Sequence, residues 1–183
     1  KNILFIDTET TGFPIGSCYG ASDHMYSDNS LFKNSRMIQI SWKLCENINN
    51  LSAHKIKSKY IKSNVNEITN SHIHGISIKT LTNKGKLLIK VLKKGLSDAI
   101  MNANVIVAHN INFDMSILLN ELHRINKTEE INKILHLKQS QKLICSMKLL
   151  KNTINAKNIN GYVKQPTLSE CYYYYFNKDF NNK

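Results

Sequence analysis

Apolar positions come in short runs early in the chain and in helical stripes later. Within Asn2 to Asp7 the residues Ile3 to Ile6 are apolar, and the run stops ahead of a glycine turn, which predicts a short buried strand. Residues 36–44 (RMIQISWKL) alternate apolar and polar and predict a second strand. Residues 51–61 (LSAHKIKSKYI) predict a third, with lysines at its outward positions. Between the first two strands, a polar segment follows Phe13-Pro14 and runs to Ser35. It is longer than most connections and is expected to be mobile or ordered on binding. Strands joined by loops alone open a sheet in antiparallel fashion.

The period then changes. Residues 67–72 predict a short helical turn before His74-Gly75-Ile76-Ser77. Leu87, Leu88, Val91, Leu92, Leu96 and Ile100 share one stripe and predict an amphipathic helix over 86–100, weakened by Gly95. Residues 104–108 (NVIVA) predict a fourth, buried strand. Ile111, Met115, Leu118 and Leu122 predict a helix over 111–124, and a weaker stripe begins at Thr128. Residues 141–147 (QKLICSM) predict a fifth strand, and the Asn-rich stretch 148–165 predicts a loop. Pro166, then Leu168, Tyr172, Tyr175 and Phe176, predicts a last helix. Strands first, then strands alternating with helices, define an α/β fold: a mixed five-stranded sheet flanked by helices. No internal repeat and no linker divides the chain, so 1–183 reads as one domain.

Charge adds a partner class. The chain carries 25 basic against 13 acidic residues, a net +12, which suits a polyanion, nucleic acid first. Only two of the basic residues are arginines, Arg36 and Arg124. The abundance of Lys, Asn and Ile is also what an AT-rich genome imposes, so charge supports the reading without carrying it. Lys55, Lys57, Lys59 and Lys62 suit either phosphate tracking or the protection of a solvated strand edge. No apolar run approaches the ~20 residues of a membrane helix, so no membrane partner is expected. Cys18, Cys45, Cys145 and Cys171 form no C-x-x-C pair and read as free thiols of a reducing compartment. The expected location is cytoplasmic or nuclear, a viral protein included, and not secreted.

The chemistry gathers at the end of the first strand. Asp7 and Glu9 are one residue apart, so a strand projects both from the same side. Two anions that close repel each other, and both are costly to desolvate. A hard divalent cation removes both costs. Two solvated acids at a strand end would be the plainer account of this pair alone. A second acid follows a strand of its own: in VIVAHNINFD the strand ends at Ala108, Asn110 sits at the helix N-cap, and Asp114 falls in the first helical turns. If the two strands are adjacent and parallel, Asp114 lies at the same end of the sheet as Asp7.

FIDTETTG together with AHNINFD resembles the first two motifs of the DEDD 3′–5′ exonucleases, which include the proofreading subunit of bacterial replicative polymerases. RMIQISW, HIHGIS, LICSMKL and PTLSECYYYYF resemble further family segments in the right order. The long loop after Pro14 is similar to versions in viral and some bacterial members. The resemblance implies a ribonuclease-H-like fold and hydrolysis with two Mg²⁺ or Mn²⁺ ions about 3.5–4 Å apart. It makes Asp7 the bridging ligand, Glu9 a ligand of the water-activating ion and Asp114 a ligand of the second. Thr10, Thr11 and Gly12 would offer backbone donors to the terminal nucleotide, and Phe13 would pack on the last base. Thr8, His74, His109 and Asn110 complete the implied substrate-binding set. The implied substrate is the 3′ end of single-stranded DNA, with RNA as the alternative and a DNA polymerase as a further candidate partner. A non-catalytic nucleic-acid-binding or polymerase-docking module is the rival from another class.

The family's third motif is a fourth Asp preceded by a His or a Tyr. No His follows His136, and the only Asp after Asp114 is Asp179. Tyr175 and Asp179 fit Tyr-x-x-x-Asp by spacing, a weak pattern. The motif, with a His as general base, is expected beyond Lys183, leaving the domain incomplete at its C-terminus.

Overall fold

In a computed structural model, described over residues 1–16, 25–46 and 55–179, β1 (Ile3–Thr10) is the centre of the sheet. It pairs antiparallel with β2 (Met37–Cys45), and β2 pairs antiparallel with the edge strand β3 (Lys57–Tyr60). The short helices α1 (Ser71–His74) and α2 (Ile78–Lys84) follow. Next come α3 (Leu88–Val91) and α4 (Ser97–Asn102), then β4 (Val105–Ala108), which lies parallel to β1 on its other side. The chain continues through α5 (Ile111–Arg124), α6 (Thr128–Gln139) and β5 (Leu143–Cys145), which pairs parallel with β4. Two single turns, α7 (Ser146–Leu149) and α8 (Lys151–Ile154), lead to α9 (Leu168–Phe176). The strand order is β3-β2-β1-β4-β5. This is the expected mixed five-stranded sheet, antiparallel on one side of β1 and parallel on the other.

Alternation along β1 divides its residues between two faces. Leu4 and Ile6 are buried against the helices, alongside their register partners Trp42 and Ile106. The other face carries Phe5, Asp7 and Glu9, opposite Lys43, Ser41 and Gln39 on β2. α5 packs on β1, β2, β4 and β5 and supplies Met115, Leu118 and Leu122 to the core, as its stripe requires.

Several elements differ from expectation. The 86–100 stripe is not one helix: Gly95 takes φ +110°, and the chain kinks between α3 and α4 through a widened turn at Leu92–Leu96. A side chain at that φ would be strained, so glycine sets the kink. The predicted fifth strand stops at Cys145, α7 begins at Ser146 and ends in the 148–165 stretch, which also holds α8, and α2 was hidden in a polar run without apolar periodicity. The early loop is anchored over its described part: Phe32 is fully buried, and Asn120 donates to the Tyr26 carbonyl. Residues 17–24, the rest of that loop, and 51–54 of the predicted third strand lie outside the described residues.

One buried ion pair ties the sheet to α5. Glu121 is 4% exposed and accepts from Arg36 Nε (2.7 Å), Arg36 Nη2 (3.1 Å) and the Met37 amide (3.1 Å). Removing one partner of such a pair strands the other in low dielectric. Glu121→Ala is expected to cost about 3 kcal/mol and to lower Tm by roughly 6–12 °C in a thermal unfolding scan. A loss under about 1 kcal/mol would show that solvent, not the protein, satisfies Arg36.

Candidate active site

β4 is short. Its last pair with β1 joins Phe5 to Val107, so β1 continues past it toward the site. The Thr8 amide lies beyond that pair and is taken instead by Asp114. Oδ1 of Asp114 accepts from the Thr8 amide (2.9 Å) and from the Thr8 hydroxyl (2.8 Å). α5 thus delivers its acid to the end of β1 as parallel neighbours predict. Asp114 is 2% exposed, whereas Asp7 opens to solvent and Glu9 is half-buried.

The three acids are electrostatically coupled. Burial pushes the Glu9 carboxyl up to about 7, with the Asp7 charge adding to it. Burial and then the Asp7 charge push Asp114 up to about 8, against the lowering effect of the two Thr8 bonds. Asp7 is itself raised by burial, partly offset by His109. Three carboxylates held above their ordinary range by desolvation, two of them also by the Asp7 charge, are what a bound cation would relieve. Their hard oxygens suit Mg²⁺ or Mn²⁺. Among the described residues, no three acids or histidines converge into one coordination shell. The reason is directional: Asp7 and Glu9 project from the open face of β1, while Asp114 reaches the strand from the helix-covered face and spends Oδ1 on Thr8.

A turn held on three sides follows the acids. A bulge between Glu9 and Thr10 ends the regular pairing with β2. Thr10 and Ser35 both donate to the Gly12 carbonyl, at 2.7 and 2.8 Å. The Thr11 hydroxyl donates to the Asn34 carbonyl, and the Thr11 amide donates to the Arg36 carbonyl at 3.0 Å. Thr69 closes on the Thr11 carbonyl through its amide and hydroxyl. Thr8, Thr10 and Thr11 are buried and spend their hydroxyls inside the protein, and the Thr11 amide is occupied rather than offered to a ligand. At Gly12 a Cβ would lie 2.8 Å from the Asn34 carbonyl oxygen and 2.8 Å from Thr69 Oγ1. Gly12→Ala is expected to destabilise by about 1–3 kcal/mol, read as a fall in Tm, because the backbone oxygen cannot move aside.

Phe13 stands 57% exposed at the end of this turn, edge-on to Phe113 with centroids 6.0 Å apart. Asn110 does take the N-cap position of α5, but at φ +76° and without a side-chain cap bond. Asparagine suits that left-handed backbone. His74 accepts from the Ile76 amide at Nδ1 (3.1 Å), so its Nε2 carries the proton given to the Thr10 carbonyl (3.2 Å). His109 Nε2 donates to the Pro166 carbonyl (3.1 Å), and Nδ1 meets Ser146 Oγ (3.1 Å). Both histidines are thereby committed at both ring nitrogens and brace the site. Tyr175 stacks edge-on to Tyr174, and Asp179 lines a cleft between α8 and α9.

The sequence reading missed three supports: Thr8 as the holder of Asp114, the Arg36–Glu121 strut, and the Ser146–Pro166 clamp on His109. A glutamate beside Leu118 and Leu122 on a buried stripe was the available signal for the second.

A mixed sheet with acids gathered at the end of its central strand defines the ribonuclease-H-like class of nucleases. Comparison with known proteins is consistent with that class. The RNase T exonuclease profile matches residues 4–168. The chain belongs to this exonuclease family, the DEDD 3′–5′ exonucleases, whose members depend on divalent metal. No curated protein matches the chain. Among solved structures, E. coli exonuclease I with a dA16 oligonucleotide aligns at TM-score 0.65 and 14% identity, over 91% of this chain and 34% of that one. Exonuclease I with the inhibitor BCBP aligns at TM-score 0.63 and 15% identity, again over 91% and 34%. A product-bound exonuclease I aligns at 0.61 and 15%, over 91% and 36%. The chain thus spans about a third of the length of these structures, and at such identities the likeness is one of fold.

Proposed function

We propose that this chain removes nucleotides from the 3′ ends of single-stranded DNA by metal-dependent phosphodiester hydrolysis. The observation that carries the reading is the gathering of Asp7, Glu9 and Asp114 at one strand end, each pushed toward protonation chiefly by burial. In this reading Asp7, Glu9 and Asp114 hold two Mg²⁺ or Mn²⁺ ions. Bound there, the ions would supply Lewis-acid stabilisation of the attacking and leaving oxygens. The protein's own part is placement. Thr8 fixes the Asp114 carboxylate, and His109 offsets part of the burial cost at Asp7. The braced turn through Gly12 presents Phe13, whose exposed ring offers a stacking surface that any base can use. Among the described histidines, His74 and His109 are the two at the site, and their engaged nitrogens suit positioning rather than proton transfer. The net charge of +12 favours a phosphate backbone. The likeness to exonuclease I, solved with dT13 and dA16 oligonucleotides, supports single-stranded DNA over RNA.

The test is digestion of 5′-labelled single-stranded DNA and RNA of one sequence, with Mg²⁺ and with chelator. The expected result is Mg²⁺-dependent shortening of the DNA from its 3′ end, one nucleotide at a time. Faster shortening of RNA would replace the substrate. Tight end-binding without shortening of either strand would replace hydrolysis by the binding-module reading.

A further inference from the structure

The parallel strands give the molecule two poles. β1, β4 and β5 run the same way, so the acids stand toward their C-terminal ends and the segments that enter them share the other end. A cleft of about 310 Å³ lies at that second pole, at the small end of the range for ligand sites. Lys1 and Asn104 reach it from just before β1 and β4, and Lys142 from just before β5. Lys133, His136 and Ser140 reach it from α6 and its C-terminal end. None of the described residues that line it is acidic. Among the described residues, the side chains of Lys1, Lys133, His136 and Lys142 make no ion pair and no hydrogen bond. Glu129 stands one helical turn before Lys133, at the spacing that favours an ion pair, and the two do not pair. The helix dipole favours a basic side chain in the last turn, which accounts for His136. It does not account for Lys1, Lys133 or Lys142, which lie outside that turn.

We propose that this cleft is a phosphate-binding site, separate from the acids. Three lysines drawn together without an acid repel one another, and a bound phosphate removes that cost. Each ammonium brings a point charge and three donors to phosphate oxygens. The His136 ring and the Ser140 hydroxyl add further donors. Ile3 pairs with Val105 at the cleft and lies four residues before Asp7. That is ~13 Å along the strand, more than the ~8 Å over which exposed charges act at physiological ionic strength. The cations therefore do not serve the acid site through its field, and the cleft needs neither metal nor hydrolysis to bind. Its phosphate comes from one of two sources, an internal phosphodiester of a single strand or a free nucleotide. The first gives the strand a second hold away from its 3′ end, and the second gives the protein a nucleotide sensor.

The experiment measures affinity with chelator present, where no metal-dependent hydrolysis occurs and the bare acids repel anions. Its failure is therefore distinct from failure of the exonuclease reading. The probes are thymidine 5′-monophosphate, followed by calorimetry, and a fluorescein-labelled single-stranded 20-mer, followed by anisotropy, both at one salt concentration. The wild type is compared with the variant carrying Lys133→Gln, His136→Ala and Lys142→Gln. A control carrying Lys79→Gln and Lys84→Gln loses the same two lysine charges from the exposed surface of α2. Tm checks that each variant keeps its fold. Lys142→Gln alone, at an exposed position outside every helix and strand, keeps the test decisive if the triple variant melts early. The expected result is a Kd raised about tenfold or more in the triple variant and about threefold or more in Lys142→Gln, with the control changed less than twofold. A loss on the 20-mer alone assigns the site to an internal phosphate of the strand, and a loss that includes the nucleotide assigns it to free phosphate monoesters as well. Unchanged affinity for both probes would overturn the site. So would a fall matched by the control, which would reduce the cleft to general surface charge, and so would the absence of measurable binding of either probe to the wild type.

Discussion

Asp7→Ala is expected to reduce Mg²⁺-dependent nucleotide release by about 10³-fold or more. Asp7 is the acid that acts on both others: its charge raises Glu9 and raises Asp114. It therefore sits where a cation shared by the set would be held most strongly. Metal stabilisation of a transition state is worth several kcal/mol, and each ~1.4 kcal/mol is tenfold in rate. The fold should survive, because Asp7 opens to solvent on the uncovered face and its neighbours Leu4 and Ile6 keep their places in the core. Initial rates of nucleotide release, with Tm alongside, check both halves. A variant that retains more than about a tenth of the wild-type rate would move the chemistry away from β1.

Asp114→Asn is expected to separate activity from stability. A carboxyl raised to about 8 holds its proton in the folded state at pH values where the unfolded chain has released it. The folded state therefore binds more protons between pH ~4 and ~8, and stability falls as pH rises through that window. Glu9, raised to about 7, adds in the same direction. Metal-free protein should thus melt lower at pH 8 than at pH 5. An asparagine amide oxygen can still accept from the Thr8 amide and hydroxyl, but it carries no charge to desolvate or to repel Asp7. The variant should lose activity by about 10²-fold or more. Without metal it should gain on the order of 2 kcal/mol at pH 8, about 4–8 °C in Tm, and little at pH 5. Melting curves at the two pH values, with chelator present, decide it. A lower Tm at pH 8 would mean that the Thr8 bonds outweigh desolvation.

How far the sequence led can be argued residue by residue. β1, β2, β4 and α5 were legible because alternation and a helical stripe each dictate one buried face. The parallel placement of β4 beside β1 stood in the sequence only as a condition; the structure meets it, and with it Asp114 approaches Asp7. The kink at Gly95 was not legible, since one glycine in a strong stripe is compatible with a continuous helix. It is the positive φ that breaks this one. The threonines of the turn were expected to serve a ligand. Burial and close packing around Gly12 turn them inward, a tertiary effect that no local pattern reports. The same holds for His74 and His109, whose partners at Ile76, Thr10, Ser146 and Pro166 come mostly from distant parts of the chain. Directions around the strand end were hidden too. Asp7 and Glu9 on one face and Asp114 reaching from the other is a property of the assembled sheet.

The central claim is that these three acids together bind the divalent ions on which hydrolysis depends. A titration of metal-free protein with Mn²⁺ at pH 8, followed by the electron paramagnetic resonance signal of free Mn²⁺, tests it most directly. The wild type should bind Mn²⁺, and Asp7→Ala and Asp114→Asn should each weaken that binding at least about tenfold, or ~1.4 kcal/mol. Equal Mn²⁺ binding by the wild type and both variants would contradict the account.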